Sequence, residues 1–100
     1  MDYKAPLTYK GRPLVRSKNE LYYGSLSEPY VIFMQILTTK VEENEEIADR
    51  VHVTLLKTDT KLSLLERVVK QSDKNGLWSA LDIGNIWLER ALTDVSEKSV

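Results

Sequence analysis

His52 is the only histidine of this 100-residue chain, and there is no cysteine. A zinc site or a nucleophile–base pair needs at least a second histidine or a thiol beside it. His52 stands alone between Val51 and Val53, where it reads as a strand residue, exposed or hydrogen-bonded in place. The acids of "EENEEIAD", residues 42–49, offer hard oxygen ligands. They lack the glycine and the alternation of a calcium loop, so the stretch reads as a solvated turn. No glycine-rich phosphate loop and no G-x-S-x-G elbow is present. Asp82 lies beside Gly84, but no second acid sits at a defined distance to share acid–base work. The expectation is a protein that is not an enzyme, with no catalytic, cofactor-binding or metal-ligating residue.

Binding is better provided for. "YKGRPLVRSK" interleaves Tyr9 with Lys10, Arg12, Arg16 and Lys18, and Tyr22 and Tyr23 follow. Basic side chains next to aromatics can clamp phosphates and stack bases, so RNA or single-stranded nucleic acid is the alternative function. The net charge of -1 gives no global attraction to nucleic acid or to an anionic membrane. Charge is instead segregated. Residues 1–18 carry five basic side chains against Asp2, a local +4, while residues 41–50 carry five acids against Arg50, a local -4. The basic hairpin therefore has a second candidate partner in the acidic turn of its own or a neighbouring chain.

These residues must be held by a fold, and the periodicities supply one. Residues 1–10 contain Pro6 and little pattern, and read as a flexible arm. Two β-prone runs, 13–16 and 20–23, flank Ser17-Lys18-Asn19, a plausible tight hairpin. "YVIFMQILTT", 30–39, is the strongest strand and is apolar on both faces, as in a central strand or one that meets another subunit. "RVHVTLLKT", 50–58, should pair with it as a long antiparallel hairpin. The period then changes. "SLLE", 63–66, has the pattern of a capping box, and Leu64, Leu65, Val68 and Val69 form a helical stripe. That helix should end near Asn75-Gly76, and a second should run from about Leu77 to Leu92. The predicted fold is a single α+β domain. A four-stranded antiparallel β-meander, 12–58, precedes two C-terminal α-helices, 63–92, packed on one face, and 93–100 form a tail.

"NGLWSALDIGNIWLERAL", 75–92, holds both tryptophans. On a helical wheel Leu77, Ala80, Leu81, Gly84, Trp87 and Leu88 share one face, while Ser79, Asp82, Asn85, Glu89 and Arg90 fall mostly opposite. Gly84, in mid-face, suits close packing. Trp78 and Ile86 lie off the stripe, and tryptophan is enriched at interfaces. With Phe33 on the two-sided strand they are the candidate interface of a homodimer. Together, "YKGRPLVRSKNELYYGSLSEPYVIFMQI" and "LDIGNIWLERAL" resemble short bacterial proteins of about this length with no assigned function. That resemblance implies a small stand-alone protein and carries over no site residue. Without a signal peptide, a membrane-spanning run or a cofactor motif, the expectation is a cytoplasmic, cofactor-free, non-catalytic protein-interaction or regulatory module.

Overall fold

The computed structural model of the chain describes residues 7–98, with side chains described as far as Thr93. Six strands form one antiparallel sheet in which every strand pairs with its neighbour in sequence: β1 (Leu7–Tyr9), β2 (Arg12–Ser17), β3 (Glu20–Tyr23), β4 (Tyr30–Glu42), β5 (Glu45–Lys57) and β6 (Val68–Asn75). A single helical turn, α1 (Leu64–Arg67), connects β5 to β6, and a long helix, α2 (Leu77–Lys98), completes the described chain. The α+β class, the antiparallel sheet and the C-terminal helix agree with the sequence reading.

There are two helices, as expected, but the strand count and the extent of the first helix need correction. Two strands escaped the sequence pattern. β1 has only three residues and lies in the stretch expected to be a loose arm, of which residues 1–6 lie outside the described residues. It folds back on β2 through the two-residue turn Lys10-Gly11, in register Leu7↔Leu14 and Tyr9↔Arg12. β6 takes most of the segment expected to be the first helix. Ser63 does cap a helix there, accepting from Glu66 N, while Glu66 Oε1 accepts from Ser63 N. The helix ends after one turn because nothing buries its stripe: Leu64 and Leu65 are exposed. An isolated helix of this length has no stability of its own. From Val68 onward the chain satisfies its backbone groups on the free edge of β5 instead, in register Val53↔Ser72 and Arg50↔Asn75. Gly76, at φ +87, ends this strand and opens α2, rather than ending a helix. The expected tail also begins too early, since α2 continues to Lys98.

β4 and β5 are thirteen residues each and pair far beyond the 30–39 and 50–58 expected, as far as Glu42↔Glu45. The acidic connection is not a long loop. Its turn is only Glu43-Asn44, both at positive φ (50° and 67°), which the right-handed twist of a two-residue hairpin favours. Register shifts lie between Ile36 and Thr39. Beyond them β3 and β6 no longer pair with the hairpin, so its distal half projects as a two-stranded arm.

α2 covers one face of the sheet. Leu21, Tyr23, Ile32, Met34, Ile36, Val51, Val53 and Leu55 point toward it and are buried with Ala80, Leu81 and Leu88 of the helix. Each such side chain contributes roughly 1.5–3 kcal/mol when taken out of water. Gly84 lies where the helix crosses the sheet: a Cβ there would stand 3.1 Å from Ile32 Cγ2.

Candidate functional site

The candidate residues fall on three parts of this frame. The first is the sheet face that α2 leaves uncovered. Register places Val15, Tyr22, Phe33, Thr54 and Gln71 in one row across β2 to β6. The rings of Tyr22 and Phe33 are 4.8 Å apart, tilted by 38°. Val31 and Leu56 on the same face are buried, but Val15 is 60% and Tyr22 44% exposed. The neighbouring row is polar: Ser17, Glu20, Gln35, His52 and Asp73. His52 Nδ1 lies 2.5 Å from Asp73 Oδ1, and its Nε2 lies 3.1 Å from Gln71 Oε1. With both ring nitrogens engaged by β6, His52 is held in place across the strand pair. Among the described residues no group of three His, Asp or Glu side chains converges on a common point.

The second part is a polar cluster under α2. Asn85 is buried, although the wheel put it on the polar side. Its Oδ1 accepts from Tyr23 Oη at 2.9 Å and from Arg12 Nη1 at 3.3 Å. Tyr23 Oη also lies 2.7 Å from Tyr9 O, and Arg12 Nη1 is 3.5 Å from Glu89 Oε1. These contacts lock β1 and β2 to the helix. Burial pushes the Tyr23 hydroxyl above its ordinary pKa, partly offset by the Arg12 guanidinium. Asn85 sits four residues after Leu81 and three before Leu88, beside their stripe, but what takes its amide into the core is the meeting with Arg12 and Tyr23.

The third part is the helix side near the arm, where Trp78 is 73% exposed and Ile86 37%. The three candidate interface residues therefore divide: Phe33 lies on the uncovered face, Trp78 and Ile86 on the helix. The basic residues divide too. Lys10 and Lys18 occupy the turns at opposite ends of β2, about 20 Å apart at roughly 3.3 Å per residue. Arg12 is committed to Asn85 and Glu89, and Arg16 Nε donates to Lys18 O. The four do not make one patch.

No protein-family model, curated protein or solved structure matches this chain. Among the described residues no helix is long and apolar enough to cross a membrane.

Proposed function

We propose that the protein is a non-catalytic interaction module that acts as a homodimer, with the uncovered sheet face as its contact surface. One observation carries this reading: the row Val15, Tyr22 and Phe33 lies on the face opposite α2, with two of its three members substantially exposed. An antiparallel sheet with one solvated face ordinarily alternates apolar-in and polar-out. Here one outward row across three adjacent strands, Val15, Tyr22 and Phe33, is apolar and contiguous, the composition of a surface that associates. A second copy offers the same row, and a two-fold contact is self-complementary by construction. Stacked sheets pack about 10 Å apart, which two layers of such side chains fill.

Light scattering at micromolar concentration measures this directly. The expected species has twice the 11.5 kDa mass of the chain. Val15→Asp, at an exposed position outside the α2-facing core, should return the mass to that of one chain with the circular dichroism spectrum unchanged. A wild-type protein that remains at 11.5 kDa across the concentration range excludes the proposal.

A further inference from the structure

A groove of about 480 Å³ lies at the root of the arm, on the helix side of the sheet. Ile47 and Ala48 of β5 and Leu77 of α2 give it apolar walls, and Trp78 lines it with an indole that is 73% exposed. The Tyr9 ring stands 6.2 Å from that indole and in turn meets Tyr23 edge-on at 5.8 Å. A chain of rings thus runs from the indole to the core.

Two charged side chains complete the lining, Arg16 and Glu46. Arg16 Nε is anchored on Lys18 O at 2.9 Å, which fixes the plane of the guanidinium. Among the described residues its two terminal nitrogens meet no acceptor, and Glu46 meets no cation within ion-pair distance. Arg16 and Glu46 thus form no ion pair with each other. A held, unpaired guanidinium matches a planar carboxylate. An unpaired carboxylate matches an ammonium group, and an exposed indole face matches a flat apolar body. Cavities of this size hold small ligands.

We propose that this groove binds a free amino acid with an aromatic side chain, its carboxylate on Arg16, its ammonium on Glu46 and its ring against Trp78. Both opposite charges are needed on one small body because both partners line one groove. The site lies on the helix side, so it does not depend on association through the uncovered sheet face.

Amide and indole chemical shifts of the wild-type protein, titrated with L-phenylalanine, test it. The expected result is saturable movement of the Trp78 indole signal and of the Leu77–Ser79 amides. Phenethylamine and 3-phenylpropionate, each lacking one charge, should bind at least about tenfold more weakly, the loss expected when one ion pair is removed. Arg16→Gln should weaken phenylalanine by a similar factor, and Trp78→Ala should abolish saturation. Both residues are exposed, and the ligand series on the wild-type chain needs neither variant. Absence of saturable shifts at millimolar phenylalanine overturns the proposal, as does equal binding of all three compounds.

Discussion

Tyr23 shows what one side chain decides in this structure. It is fully buried, yet its hydroxyl bridges Tyr9 O and Asn85 Oδ1, so an apolar ring and a polar tie come from one residue. Burial raises its pKa above the ordinary value of 10.0, so the sign of the pH effect is fixed. Its contribution to stability is fully present below that value and is lost as pH rises through the raised one. Tyr23→Phe should cost about 1–2 kcal/mol in denaturant titrations at neutral pH, the range for buried partners left unpaired. It should also flatten the alkaline loss of stability relative to the wild type. At this scale the sequence was only partly legible. The core role of Leu81, Gly84 and Leu88 follows from spacing alone. The burial of Asn85 does not, because an amide enters a core only when partners from distant strands, here Arg12 and Tyr23, meet it there.

Among the elements, the β4–β5 hairpin carries the plainest prediction. Its body is sandwiched between β3 and β6, but beyond Thr38↔Arg50 no third strand pairs with it. Edges without a third strand leave backbone groups to water and open at low free energy. Amides of Thr39–Ala48 should exchange with solvent at least about tenfold faster than those of Val31–Ile36 and Val51–Leu56, a difference of roughly 1.4 kcal/mol in opening. Uniform protection along both strands would contradict it. The bodies of β4 and β5 were readable because β-branched, aromatic and other apolar residues dominate 30–39 and 50–58. β6 was not, because Val68 and Val69 fit a helical stripe begun by Leu64 and Leu65 as well as a strand. Local pattern cannot decide between them. What decides is the vacant edge of β5, a feature of the assembled sheet.

The described residues form two layers with one principal core, and among them α2 is the sole cover of that core's sheet face. Leu88→Ala, at a fully buried position of the helix, should therefore cost about 2–5 kcal/mol in a denaturant titration, a large share of what a domain of this size holds. Exposed Ile86→Ala should cost little by comparison. The sheet is ordered β1-β2-β3-β4-β5-β6, so each strand can pair as soon as the next one is made. The helix that shields it comes last. Until α2 docks, Ile32, Met34, Val51 and Val53 stand bare on the assembled meander. The order of elements along the chain thus lets the sheet form before its cover, and a sheet in that state is open to association on both faces.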